Sequence, residues 1–314
     1  MNVEGEGMKT VSVVVPVYYN AESLPLLFAE LQKVEHALHE RDCAMELIFV
    51  DDGSGDESMI ELLKIKQQRP DTQVVKLARN FGAVHSSKVG LNYVTGDCFM
   101  WLAADLQDPP ELVVEMTDQW LAGSKFVIAL RESRVDPPLT RLFAAVYHWL
   151  VRAMISKDYP KGGFDIALMD AALVPYIRDS SKNINTALLA YWLGYKPATL
   201  YYERRERPHG KSRWTFAKKL TYFIDSILGF SVLPIRLISM LGFIVSLLSF
   251  GYGLYIVAGT VFGGRVVAGF ATLVALISFL LGAVMIILGI IGEYIWRIFD
   301  EVTTRPEVVV EHVY

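Results

Sequence analysis

Oxygen-rich side chains cluster at a few places in the chain where their spacing could do chemistry. Asp105 and Gln107 stand two residues apart on what reads as an extended strand end, so both point to one side. Such a pair can hold a divalent cation through hard oxygen ligands, a role that needs few protein contacts. The other reading of Asp105 is a helix cap before Pro109-Pro110, although Asp108 explains that cap better. Asp51-Asp52-Gly53-Ser54 is either a binding loop or ordinary turn chemistry. Asp165 is a loop carboxylate after Gly162-Gly163. Arg207, Lys211 and Arg213 fall in a basic run ahead of the first long apolar stretch. Basic residues next to a membrane helix also set topology and bind anionic lipid.

The elements that must position these groups follow from hydrophobic pattern. Residues 10 to about 205 alternate short β-branched runs with longer amphipathic stretches, the mark of an α/β fold with a largely parallel sheet. Strands are expected at Val11–Val15, Glu46–Val50, Gln73–Leu77 and Cys98–Leu102. Helices are expected at Ala21–Leu38, Glu57–Gln68, Ala83–Val94 and Pro110–Trp120, with Pro110 in the first turn of the last. Each strand stops at polar residues, and in an open sheet ligands collect at the carboxyl ends of the strands. The turn after the first strand, Pro16-Val17-Tyr18-Tyr19-Asn20, has no glycine, which argues against dinucleotide binding. Also missing are a Gly-rich loop ending in Lys-Ser/Thr, a zinc pattern and a nucleophile elbow.

Composition adds a membrane. At 53% hydrophobic and a mean hydropathy of +0.33, the 314-residue chain is too apolar for an ordinary soluble domain. The 34 acidic residues outnumber 30 Lys and Arg, which excludes a nucleic-acid partner that needs a basic surface. Cys43 and Cys98 are expected as reduced, partly buried thiols. Leu237–Val261 and Val266–Gly292 are free of charge, and each is long enough to cross a hydrocarbon core of roughly 30 Å. The basic residues before the first run, against Arg265 alone in the turn, put both termini in the cytoplasm by the positive-inside rule. No signal peptide is expected, because the first apolar run is short. Trp214–Phe230 reads as an interfacial amphipathic helix.

Several motifs recur in a fixed order: Val13-Val14-Val15-Pro16-Val17-Tyr18, Val50-Asp51-Asp52-Gly53-Ser54, Ala78-Arg79-Asn80-Phe81-Gly82, Ala104-Asp105-Leu106-Gln107-Asp108-Pro109-Pro110-Glu111 and Gly163-Phe164-Asp165. With Gly292-Glu293-Tyr294-Ile295 and Arg305-Pro306 after the second apolar run, the set resembles glycosyltransferase family 2, in particular its polyprenyl-phosphate glycosyltransferases. The resemblance implies a GT-A fold, Rossmann-like with a mostly parallel sheet, followed by a transmembrane hairpin. It implies a nucleoside-diphosphate sugar donor, a polyprenyl phosphate acceptor of undecaprenyl or dolichyl type, and a bound Mg2+ or Mn2+. Pro16, Tyr18, Asn20, Asp51, Asp52, Ala104 and Asp105 become the nucleotide-binding set, and Asp105 with Gln107 the metal ligands. Asp165 is matched to the residue beside the attacking oxygen, and Arg131, Arg207, Lys211 and Arg213 to the basic groups that meet the phosphates.

This sequence departs from the family pattern at three places. Ala103 replaces the first Asp of the metal motif, Tyr19-Asn20 replaces Asn-Glu after Tyr18, and Ala167 replaces an Arg after Asp165. Asp105 is therefore expected to hold the ion with weaker binding. A lipid phosphate is mostly deprotonated near neutrality, its second pKa being about 6, so Asp165 is expected to orient the acceptor more than to remove a proton.

The expected organisation is a cytoplasmic catalytic domain over 1–205, a juxtamembrane basic loop and helix over 206–232, spans at 233–262 and 266–293, and a tail over 294–314. Val308-Val309-Val310 is a strand candidate for a sheet edge of this chain or of a neighbouring subunit. The expected location is the bacterial inner membrane or one of endoplasmic-reticulum type, and a homo-oligomer is plausible by family analogy. The expected reaction is inverting transfer of a single sugar. The rivals are a nucleotide-sugar-binding scaffold without turnover and a processive polysaccharide synthase.

Overall fold

The computed structural model describes residues 7–132, 138–182, 184–205, 223, 226–231, 233–263, 269–303 and 305–314. The chain divides into two units: Met1–Ile227 with Pro306–Tyr314, and Leu228–Arg305.

The first unit is built on β1 (Lys9–Val17), β2 (Cys43–Asp51), β3 (Gln73–Leu77) and β4 (Cys98–Trp101), separated by α1 (Leu24–His39), α2 (Ser58–Gln68), α3 (Ala83–Gly90) and, after β4, α4 (Leu112–Leu121). It continues with β5 (Phe126–Arg131), α5 (Pro138–Met154), β6 (Ile166–Asp170), α6 (Val174–Arg178), α7 (Thr186–Trp192) and β7 (Ala198–Tyr202). A run such as Val11–Val15 must be covered on both faces to lie in a sheet core. Val11, Val13 and Val15 pack with Leu27, Leu31 and Phe49 on one face, while Val14 joins Ile48, Val50 and Val75 on the other.

The strand order is β7-β5-β6-β4-β1-β2-β3-β8, where β8 is Val310–Val313. β1 pairs in parallel with both β2 and β4, so the switch point lies between the carboxyl ends of β1 and β4. β6 is antiparallel to β4 and to β5, and β5 and β7 are parallel. One rim therefore collects the ends of β1, β2, β4, β5 and β7 and the start of β6.

Some boundaries differ from those expected. α4 begins at Leu112, so Pro110 precedes the helix; Val113 N–H bonds back to the Pro110 carbonyl at 3.0 Å. The third expected helix breaks at Gly90 into a single 3-10 turn, Leu91–Tyr93. The C-terminal strand lies at Val310–Val313, sharing only Val310 with the expected Val308–Val310, and pairs antiparallel with β3 of its own sheet. Both cysteines are free, and both are fully buried where partial burial was expected.

The second unit holds α8 (Leu233–Gly263) and α9 (Phe270–Val302). Ile235–Ile256 and Phe279–Val302 are long and apolar enough to cross a membrane, and their most apolar windows are not buried within the chain. α9 runs on to Val302, so the segment expected to be tail from 294 starts as helix. In these last turns Glu293 and Arg297, one turn apart, pair at 3.3 Å. Most of the expected amphipathic helix lies outside the described residues; its described end, 226–230, is helical.

Candidate active site

At the β1 and β2 ends the carboxylates are held by main chain. Asp52 is buried, and its two oxygens accept hydrogen bonds from Phe81 N–H at 2.7 Å and Gly82 N–H at 2.9 Å. It therefore closes the loop after β3 onto the end of β2. Gly53 is required beside it: its φ is +68°, and a Cβ would lie 2.6 Å from the Arg79 carbonyl carbon. Asp51 is fully buried, with Oδ1 accepting from Ser54 N–H at 3.3 Å and Oδ2 accepting no hydrogen bond among the described residues. Burial pushes both carboxyls above the usual carboxylate range.

The β1–α1 turn is stitched to the β2–α2 segment by serines. Ser54 Oγ accepts from Tyr19 N–H at 3.0 Å and Ser58 Oγ from Asn20 N–H at 2.8 Å. Asn20 also uses its own side chain locally: Oδ1 accepts from Tyr18 N–H at 3.0 Å and Nδ2 donates to Ser23 Oγ at 3.3 Å. Its side chain thus shapes the turn that presents Tyr18, whose ring meets Tyr19 edge-on at 4.7 Å. Pro16 lies opposite Val50 in the sheet register, half-buried at the same rim. Ala104 is buried, with its carbonyl accepting from Ser23 Oγ at 2.7 Å.

The Asp105–Gln107 segment corrects the strand-end reading. β4 stops at Trp101, and Leu106 has φ +58°, so Asp105 and Gln107 lie in a turn beyond the strand, both half-exposed on either side of the buried Leu106. Gln107 N–H donates to Asp105 Oδ1 at 3.2 Å, which folds the two residues onto each other. They still share one small loop at the switch point. A half-exposed carboxylate with a nearby amide oxygen suits a cation that takes its remaining ligands from phosphate and water. Among the described residues no group of three or more His, Cys, Asp or Glu could hold a metal.

The antiparallel direction of β6 brings Asp165, just before its first residue, to the rim where β5 ends at Arg131. Arg131 Nε lies 2.6 Å from Asp165 Oδ2. A glycine precedes this segment for a steric reason: Gly163 has φ +70°, and the His148 ring occupies the place of a Cβ. Opposite Arg131 in the β5–β7 register is Tyr202, whose hydroxyl donates to Asp108 Oδ1 at 2.8 Å. Arg204 Nε approaches the same oxygen at 3.4 Å. Burial raises the Asp108 carboxyl, Arg204 and Tyr202 oppose that, and the charges of Asp165 and Asp105 add to it. Burial works against the charge on Arg131, but Asp165, Tyr202 and Asp108 more than offset it, so its pKa is raised.

The structure thus brings together Pro16, Tyr18, Asp51, Asp52, Asp105, Gln107, Arg131 and Asp165 along one rim of the sheet. Arg207, Lys211 and Arg213 lie outside the described residues. Sequence reasoning missed Asp108, Tyr202 and Arg204. Asp108 was expected as a helix cap, but its side chain is turned to Tyr202 and Arg204. The available signal was weak: Tyr202 ends a β-branched and aromatic run just before a basic one.

Residues 12–166 match glycosyl transferase family 2. An uncharacterized glycosyltransferase of Synechocystis sp. strain PCC 6803 is 34% identical over 297 residues, covering 94% of this chain and 92% of its own. The chain belongs to glycosyl transferase family 2. A prophage bactoprenol glucosyl transferase homolog of Escherichia coli K12 is similar at 31% identity, with coverage of 96% of this chain and 99% of that one. Among solved structures, glucosyl-3-phosphoglycerate synthase of Mycobacterium tuberculosis aligns with TM-score 0.49 at 16% identity, over 70% of this chain and 78% of its own. Membership of family 2 accords with the mixed, mostly parallel sheet and with its polar residues gathered at one rim.

Proposed function

We propose that this family 2 glycosyltransferase moves one sugar from a nucleoside-diphosphate sugar to a polyprenyl phosphate at a membrane face, with inversion at the anomeric carbon. One observation carries the reading: the loop of Asp105 and Gln107 and the Arg131–Asp165 pair open on the same rim, although their segments are far apart in sequence. A nucleotide at the β1–β2 ends would have its diphosphate at the switch point, with the acceptor phosphate arriving from the β5–β6 side. The Asp51 Oδ2 acceptor supports a base or ribose N–H or O–H at the bottom of the crevice, since a buried carboxylate oxygen with no donor is costly. Relatives named bactoprenol glucosyl transferases, similar along nearly their whole length, support the lipid acceptor.

Asp105 and Gln107 would hold the divalent cation, which supplies charge neutralisation for a leaving diphosphate. The chain's own groups do the rest. Arg131 offsets the negative charge of the incoming phosphate, and Asp165, already engaged with Arg131 at 2.6 Å, orients the attacking oxygen. A lipid phosphate needs no strong base, so a carboxylate committed to an arginine suits that task.

The tail supports both ends of the helical pair lying on one side of the membrane. The chain leaves the first unit at Ile227 and re-enters it at Pro306, where β8 completes the β3 edge. An even number of crossings follows, with the catalytic unit in the cytoplasm if the basic flank obeys the positive-inside rule.

The test is transfer of radiolabelled sugar by the purified full-length protein in liposomes containing undecaprenyl phosphate, across the common nucleotide sugars with manganese or magnesium. Labelled lipid from at least one donor is expected. Intact nucleotide binding with no labelled lipid from any of them would overturn the proposal and favour the scaffold reading.

A further inference from the structure

We propose that Glu307 is a positioning residue for the nucleotide donor: by gripping α3 it holds the Arg79–Gly82 loop in the shape that completes the crevice at the β2 end. The inference rests on the donor reading above and adds to it a residue from the far end of the chain.

The loop is tied down from two sides. On one side Asp52 accepts from Phe81 N–H at 2.7 Å and Gly82 N–H at 2.9 Å, and Gly53 lies against the Arg79 backbone where no Cβ would fit. On the other side runs the C-terminal segment, which re-enters the first unit at Pro306. Three consecutive residues of that segment act on the loop and its helix. The Val309 carbonyl accepts from Ala78 N–H at 3.0 Å, immediately before the loop. Val308 packs on the buried cluster of Val14, Ile48 and Val50, as do Phe81 of the loop and Val89 of α3. Glu307 Oε1 lies 2.8 Å from His85 Nδ1, and Oε2 accepts from Lys88 Nζ at 2.9 Å, so one carboxylate spans two positions on the same face of α3.

This grip controls where α3 lies. Lys88 is 5% exposed, and its other partners are the Ser180 carbonyl at 2.6 Å and the Ser181 carbonyl at 3.3 Å. Without the carboxylate, a buried ammonium keeps no counter-charge, and the helix has to shift to bring it toward water. α3 has only eight residues, too few turns to absorb such a shift internally. Its first turn starts from the loop itself, since Ser86 N–H donates to the Gly82 carbonyl at 3.0 Å. A displaced helix therefore drags Gly82 and Phe81 against Asp52. The nucleotide then meets a crevice that has its binding shape only part of the time, and apparent affinity falls in proportion.

The experiment is calorimetric titration of the full-length protein in detergent with UDP and with GDP, manganese present, at a temperature where each variant is fully folded. Transfer to undecaprenyl phosphate is measured beside it. Glu307→Gln keeps the size of the side chain and removes its charge. The Kd of the diphosphate that the wild type binds should rise about tenfold, as for a crevice competent about one tenth of the time, while the acceptor KM stays within about twofold. His85→Ala leaves the Lys88 pair in place and should raise the same Kd by a smaller factor. An unchanged Kd in folded Glu307→Gln overturns the inference, whatever its Tm, because a purely structural ion pair would give that result. An equal rise in Kd and acceptor KM also overturns it, being the mark of general loosening. If Glu307→Gln does not fold, His85→Ala decides by the same split. Wild-type protein that binds neither UDP nor GDP overturns the donor reading itself, and this is seen before any variant is made.

Discussion

The parallel half of the sheet and its mixed half hold polar groups by different means. At the ends of β1, β2 and β3, carboxylates and serines are tied to main-chain N–H groups: Asp52 to Phe81 and Gly82, Asp51 to Ser54, Ser58 to Asn20. At the ends of β5 and β7 and the start of β6, side chain meets side chain: Arg131 with Asp165, Tyr202 with Asp108, Arg204 with Asp108. A group bound to backbone moves only if the loop moves. A group bound to other side chains can exchange partners. Under the proposed function, the first arrangement suits a crevice that keeps one shape for a nucleotide, and the second a pocket where a charged lipid head displaces a resident carboxylate.

Substitutions can break this contrast at points of decreasing strength. Asp105→Ala lies where the two halves meet, and turnover should fall by a factor of about 100 to 1,000 with little change in Tm, because the side chain is half-exposed and its loss removes stabilisation of the leaving group. Glu307→Ala tests a buried side-chain ion-pair cluster of the parallel half, between α3 and the C-terminal segment. Glu307 bonds to His85 at 2.8 Å and to the buried Lys88 at 2.9 Å, so its removal leaves Lys88 with carbonyl partners only. Chemical denaturation should show a loss of about 2–3 kcal/mol, toward the low end for a broken buried pair.

That pair also has a pH signature. Burial raises the Glu307 carboxyl, but the bonds from His85 and Lys88 win and its folded pKa lies below the usual value of 4.5. Its contribution is fully present above that value and lost as pH falls through the folded pKa, so the gap between wild type and Glu307→Ala should close in acid.

Asp52→Ala should cost about 2 kcal/mol, since two backbone N–H groups lose their acceptor, and donor KM should rise as the β3–α3 loop loosens. Asp51→Asn is the smallest and has the opposite sign. Burial raises the folded pKa of Asp51, so the ionised form at neutral pH is a cost to the fold. The variant should gain about 1 kcal/mol in urea unfolding while binding nucleotide more weakly. Since a raised carboxyl favours the fold below its unfolded pKa and loses that advantage as pH rises through the folded one, the gain should shrink toward acid.

Much of this could be read from the chain alone because it is local. β-branched runs gave β1 and β3, Asp51-Asp52-Gly53-Ser54 could be seen as a turn at a strand end, and two uncharged stretches gave α8 and α9. What escaped was non-local or depended on a single torsion. Spacing alone put Asp105 and Gln107 on one side of a strand; the positive φ of Leu106 folds them into a turn instead. Nothing in the pattern near Asp108 announced Tyr202, 94 residues away in sequence.

By itself, then, the order of residues determined where the first four strands lie, which helices are long and apolar enough to cross a membrane, and that Asp51 and Asp52 stand at a strand end. These depend on hydrophobic periodicity and backbone preference within a few residues. Only the tertiary structure decided that β6 runs against its neighbours and so carries Asp165 to Arg131, that β8 returns to the β3 edge, and that Tyr202 meets Asp108. Strand partners and register are chosen by packing across the whole sheet, a competition among distant segments that no single stretch of sequence records.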